Sequence, residues 1–142
     1  MAILESLLLA LDRKRPRPAP SNVPNLYLEG NFAPLGFESD SPDLTVTAGA
    51  IPKALRGTLY RMSPAPRFEP VNRDLYHWFD GDGMIDAFFL DGGRVSHKNR
   101  WVRTEKLRIE EQAGRALFGG LRDLATSTLL QGYLGLGFTP GE

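Results

Sequence analysis

Residues 76–104, YHWFDGDGMIDAFFLDGGRVSHKNRWVRT, constrain the fold of this chain more than any other stretch, because strand-prone runs are separated there by corners written in Asp and Gly. Residues 76–79 are aromatic, 84–90 form an apolar run, and 94–104 resume with Val95, Trp101 and Val102. Asp80-Gly81-Asp82-Gly83 and Asp91-Gly92-Gly93 lie between them. Glycine takes positive φ without a Cβ penalty, and Asp can bond the backbone of its own turn. The pattern predicts a hairpin running into a third strand, most of one four-stranded sheet. On this reading Tyr76 and Trp78 share one strand face and His77 and Phe79 the other.

Upstream, Leu44, Val46 and Ala48 alternate with Thr45 and Thr47 and predict a strand ending at Gly49, and 58–62 predict another after Gly57. Pro64, Pro66 and Pro70 predict a loop. Ile3, Leu4, Leu7, Leu8 and Leu11 fall at helical spacing and predict a short amphipathic helix, stopped by Pro16 and Pro18. Residues 13–30 read as an extended proline-rich basic arm, and 107–115 as a loop or short helix.

Several motifs invite functions that their surroundings deny. An EF-hand loop starting at Asp80 would need an oxygen ligand where Met84 stands and a glycine where Ile85 stands. A dinucleotide fingerprint starting at Gly81 meets Asp86 in place of its third glycine and a strand in place of a helix. Gly135-Leu136-Gly137-Phe138 matches the carboxylate-binding loop of PDZ modules, yet four residues remain after it, too few to build the groove. With 17 basic and 17 acidic residues the chain lacks the basic footprint of a nucleic-acid binder. It has no cysteine, hence no disulfide framework, which is compatible with a reducing cytoplasm. No apolar run reaches the ~20 residues of a transmembrane helix.

The motif YHWFDGDGM followed by NRWVRT resembles the amino-terminal part of the carotenoid cleavage oxygenases. Asn31-Phe32-Ala33-Pro34, Ile51-Pro52 with Leu55-Arg56-Gly57, Tyr60-Arg61, Pro64-Ala65-Pro66-Arg67-Phe68, Ala113-Gly114-Arg115 and Leu117-Phe118-Gly119-Gly120-Leu121-Arg122-Asp123 fit the same family in the same order. The resemblance implies an all-β fold, a seven-bladed β-propeller with a non-haem Fe(II) on four histidines, and O2-dependent cleavage of conjugated double bonds in carotenoids, apocarotenoids or stilbenes.

Blades of about 40–45 residues put a seven-bladed ring near 300 residues, so 142 residues hold an incomplete portion, about three blades at most. The expected organisation is 1–30 helix and arm, 31–125 amino-terminal propeller blades, and 126–142 a divergent tail. The four iron ligands of relatives fall downstream, so no catalytic residue, no metal ligand and no bound Fe(II) are expected in this chain. His77 and His97, its two histidines, are expected in structural or solvated positions. The family's cavity places one bet here, Phe79 as a substrate-lining residue. Arg100 and Arg103 are expected on turn carbonyls or on Asp80 and Asp82. Gly83 is expected to hold a turn conformation. The expected location is the cytoplasm; the amino-terminal helix is expected to pack on the body of the parent protein or to fray, with contact to a membrane surface as the alternative. The contrasting expectation is a non-catalytic chain that binds a membrane or a partner.

Overall fold

The computed structural model describes residues 2–123. The tail 126–142, with its Gly135–Phe138 motif, lies outside the described residues.

Four antiparallel strands build one sheet: β1 (Ser39–Ser41), β2 (Arg56–Pro64), β3 (Gly83–Asp91) and β4 (Arg94–Trp101), in the spatial order β1-β4-β3-β2. Two α-helices accompany it, α1 (Ala2–Arg13) and α2 (Glu105–Ala113). The order is that of a Greek key, three consecutive strands with the fourth returned beside the last. Strands β3 and β4 join through Gly92 (φ 60°) and Gly93 (φ 98°), the two successive positive φ values that a tight primed turn requires.

The core sits on one face of the sheet, where Met84, Trp101, Ala65 and Leu107 pack together. Leu107 comes from α2, whose start is capped by Thr104 Oγ1, accepting from Leu107 N at 3.2 Å, and whose end is closed by Gly114 at φ 72°. Trp101 Nε1 donates to Ala65 O at 2.8 Å, so its one polar atom is satisfied inside the core. Buried Asn99 binds the incoming chain: its Oδ1 accepts from Ser39 N and Ser39 Oγ, and its Nδ2 donates to Phe37 O. Against α2 lies a second cluster, Leu117 and Phe118 with Leu8 and Leu9 of α1 and Ile109 and Ala113 of α2. Helix α1 thus packs on the body through Leu8 and Leu9, while Ile3, Leu4, Leu7 and Leu11 stay exposed.

Several sequence expectations are corrected. Residues 76–79 are not a strand: Trp78–Asp80 is a single 3-10 turn, because the His77 ring accepts from Phe79 N and the Asp80 carboxylate from His77 N, bonds that outcompete the extended form that the aromatics favour. Residues 44–48 form no ladder. Ser41 lies opposite His97, so continuing the register brings residue 44 opposite Arg94, the first residue of β4, where the partner strand ends. Only Leu44 N, donating to Val95 O at 2.8 Å, keeps a bond. Pro64 belongs to β2 as its last residue, opposite Gly83, a strand end where a missing N–H is tolerated. Gly83 itself opens β3 without positive φ, so it holds no turn. Arg100 and Arg103 do bind backbone carbonyls, Ser39 O and Asn99 O for the first and Trp101 O for the second, but these lie in strands and not turns, and the carboxylates they pair with are Asp40 and Glu38 in place of Asp80 and Asp82.

Candidate functional site

Residues 76–83 form the best-braced irregular segment of the chain. His77 Nδ1 accepts from Phe79 N at 3.2 Å, and Asp80 Oδ2 accepts from His77 N at 3.2 Å, a reciprocal cap on the turn. Asp80 Oδ1 accepts from Leu121 N at 2.8 Å, which ties the turn to the chain beyond α2. A Cβ at Gly120 would lie 2.3 Å from that carboxylate, so this close approach needs glycine. A Cβ at Gly81 would meet Tyr76 Oη at 2.9 Å and Ala65 N at 3.1 Å.

Asp82 does the same work on the other side. Its carboxylate accepts from Arg67 N at 2.9 Å and from Lys106 Nζ at 2.8 Å. Lys106 also reaches Glu110 Oε2 at 3.3 Å, and Glu110 Oε1 accepts from Leu117 N and Phe118 N. Burial alone would lower the Lys106 ammonium, but the charges of Glu110 and Asp82 outweigh it and hold its pKa above the ordinary value. Burial raises the Glu110 carboxyl more than Lys106 and the two N–H groups lower it. Tyr76, buried beside Asp80 and Asp82, has its phenol raised well above the ordinary range, first by burial and then by those two charges. The Asp-Gly-Asp-Gly run is therefore a bracket of backbone and ion-pair contacts, not the strand-to-strand turn its composition suggests.

The bracket holds an aromatic shelf. Trp78 and Phe79 stack with centroids 5.9 Å apart at 24°, and His77 meets Phe79 edge-on at 4.8 Å. From the arm, Tyr27 packs against His77 at 4.6 Å, and just beyond it Phe32 packs against Trp78 at 5.4 Å. Asn25 fixes that part of the arm by donating from Nδ2 to Arg73 O and Tyr76 O. Sequence reasoning missed Asn25 and Tyr27 of the arm and Phe32 just beyond it as parts of this site, since neither stretch carries a periodicity to reveal which side chains turn inward.

Beside the shelf opens an apolar groove of about 390 Å³, lined by Met62, Ser63 and Pro64 of β2 and by Trp78, Phe79, Gly81 and Gly83. Phe79, singled out from the sequence, is 78% exposed at this groove. Among the described residues that line it, Ser63 supplies the only side-chain hydroxyl, and none carries a carboxylate, imidazole or amine. Such a surface can bind a flat apolar molecule; it offers no group for acid–base chemistry.

The two histidines lie elsewhere. His77 is occupied as the cap just described. His97 is not a solvated strand residue: its Nε2 sits 2.9 Å from Asp86 Oδ1, with its ring 4.7 Å from Phe88 and only 17% of the side chain exposed. Ser63 Oγ approaches the same Asp86 at 3.4 Å, but the hydroxyl bonds the carboxylate and not the imidazole, so the trio is not arranged to activate a nucleophile. Among the described residues no group of three or more His, Cys, Asp or Glu could hold a metal ion, so they do not fit an iron centre.

Comparison with known proteins places this geometry. The profile of the Retinal pigment epithelial membrane protein family matches residues 32–138. Carotenoid 9,10(9',10')-cleavage dioxygenase 1 of Phaseolus vulgaris is 41% identical over 104 residues, 73% of this chain and 19% of that protein. Isoeugenol monooxygenase of Pseudomonas nitroreducens is 41% identical over 97 residues, 68% of this chain and 20% of that protein. The crystal structure of lignostilbene dioxygenase from Pseudomonas brassicacearum superposes with a TM-score of 0.68 at 31% identity, over 80% of this chain and 23% of that one. The chain spans about a fifth of the length of the curated relatives it matches. With more than two thirds of its residues inside the family profile, and with a carotenoid cleavage dioxygenase and a lignostilbene dioxygenase among its relatives, the chain belongs to the Retinal pigment epithelial membrane protein family.

Proposed function

We propose that this chain supplies the apolar, aromatic wall against which an alkene-cleaving oxygenase holds a conjugated polyene or stilbene. The observation that carries the reading is the groove beside Trp78 and Phe79, an open apolar surface with no titratable group among the described residues that line it. The names of the relatives, carotenoid cleavage dioxygenase and lignostilbene dioxygenase, support the substrate class. The parent reaction is O2-dependent scission of a conjugated double bond into two carbonyl products. It runs in a seven-bladed propeller in which this four-stranded sheet is one blade. The exposed run of Leu59, Tyr60 and Met62 on β2 suits a strand covered by more protein or by substrate. The Fe(II) of such an enzyme would be held by residues other than those described, and the part of Trp78, Phe79, Met62 and Pro64 is to bind and orient the substrate.

A second reading is favoured by α1. Ile3, Leu4, Leu7 and Leu11 are exposed, and no helix of the described residues is long and apolar enough to cross a membrane. A helix of this kind can lie on a membrane surface, where apolar substrates dissolve.

The groove is tested with a hydroxystilbene and an apocarotenal, whose binding is read by quenching of tryptophan fluorescence. Trp78 lines the groove whereas Trp101 is buried in the core. Phe79→Ala removes apolar contact area and is expected to weaken binding by about tenfold, without a change in stability. Equal affinity of the parent and of Phe79→Ala would remove this residue from the site.

A further inference from the structure

Away from the aromatic groove, a cavity of about 160 Å³ lies where the end of α1, the arm and the residues after α2 meet. Its lining includes Arg15, Arg17 and Arg115, with Asp12 as the one carboxylate. Three guanidinium groups against one carboxylate leave the lining with excess positive charge. The volume is roughly ten times the ~10–15 Å³ that a cavity must offer a single water on the same measure, enough for a tetrahedral oxyanion.

Arg17 and Arg115 are only partly used by the fold. Arg115 donates from its two terminal nitrogens to Arg13 O at 2.9 Å and Arg15 O at 3.2 Å, and so caps α1. Its Nε is buried and meets no acceptor. Arg17 reaches Ala116 O only at 3.5 Å, the outer limit of a hydrogen bond. Burial first, and then the charge of Arg115, lower the Arg17 pKa against the pull of Glu69 and Glu110. The carbonyl end of α1 lies here too and by itself disfavours an anion. Its carbonyls are engaged, however: Leu11 O accepts from Lys14 N, Asp12 O from Arg15 N and Arg13 O from Arg115.

We propose that the cavity between Arg15, Arg17 and Arg115 is an oxyanion site that takes a phosphate group. Planar guanidinium forks match phosphate oxygens in pairs, and an anion placed between them would give the buried Arg115 Nε an acceptor and relieve the repulsion between Arg17 and Arg115. The phosphate has two chemical sources, a soluble phosphate and the headgroup of an anionic lipid. The site stands whether or not the groove binds a polyene, since the two share no lining residue.

The test uses the full chain. Inorganic phosphate is titrated by calorimetry against the parent, Arg17→Gln, Arg15→Gln and, as a charge-matched control outside the cavity, Lys53→Gln, each checked for parental circular dichroism. One saturable site is expected, weakened about tenfold or more in Arg17→Gln and Arg15→Gln, as loss of a charge-assisted bond implies, and unchanged in Lys53→Gln. A second arm measures co-sedimentation with phosphatidylcholine vesicles that contain or lack phosphatidic acid. Binding that requires phosphatidic acid and is lost in Arg17→Gln assigns the site to a lipid headgroup; saturable binding of free phosphate without vesicle binding assigns it to a soluble phosphate. Either supports the site. Absence of both, or equal weakening by Lys53→Gln, overturns it.

Discussion

Replacing Lys106 by Met removes the one cation between two buried carboxylates. The side chain of Glu110 is 1% exposed and that of Asp82 5%, while Lys106 itself is 33% exposed. Breaking a buried pair by deleting one partner costs ~3–5 kcal/mol, because the remaining charge is left uncompensated. A third of Lys106 is in water, which weakens its attraction, so we expect the lower end, about 3 kcal/mol at neutral pH.

The loss has a pH signature with a fixed sign. Burial already holds the Glu110 carboxyl above its ordinary value of 4.5, and Lys106 is the largest influence opposing that rise. Its removal raises Glu110 further. The folded variant then binds a proton that the unfolded chain does not, so its stability falls as pH rises through the window above 4.5 and recovers as pH falls back through it. Urea unfolding followed by the fluorescence of buried Trp101, at neutral and mildly acidic pH, measures both quantities. Adding Glu110→Gln keeps an acceptor for Leu117 N and Phe118 N, removes one buried charge, and is expected to restore about 1–2 kcal/mol. A Lys106→Met variant within ~1 kcal/mol of the parent, or a deficit that does not shrink on acidification, would refute the ion-pair account of this bracket.

Gly120→Ala places a Cβ 2.3 Å from the Asp80 carboxylate, so that side chain must leave its bonds to Leu121 N and His77 N. A loss of about 2–4 kcal/mol in urea unfolding is expected, with a change in Trp78 emission. Gly83→Ala meets only Val102 at 3.5 Å, ordinary contact, and is expected within about 1 kcal/mol of the parent in the same assay. Thr104→Ala deletes the cap of α2 and should cost ~1 kcal/mol, read as a lowered thermal midpoint. Among the described residues β2 is an edge strand paired only with β3, with Leu59, Tyr60 and Met62 exposed, so the chain by itself is expected to elute from size exclusion as a self-associated species.

Local sequence alone determined the elements whose signals agree with one another. The helix over 2–13 follows from leucines at helical spacing ended by Pro16, the β3–β4 hairpin from an apolar run, Asp91-Gly92-Gly93 and a second strand, and β2 from the residues after Gly57. Motif order along the chain, and not composition, carried the family, because many short matches in sequence are more specific than any one of them. Tertiary structure decided the rest. Aromatic residues at 76–79 favour a strand by propensity, but His77 and Asp80 close a turn with side-chain bonds, and Gly120 is needed to let the chain beyond α2 approach Asp80. Residues 44–48 alternate as a strand should, yet a strand exists only where a partner edge remains, and β4 ends opposite residue 44. By sequence the carboxylates of Asp80 and Asp82 read as turn residues that face solvent and the backbone of their own turn. Asp80 keeps one such local bond, from His77 N, but the further partners of the two carboxylates, Leu121 N, Arg67 N and Lys106, lie 41, 15 and 24 residues away, distances over which no local pattern can report.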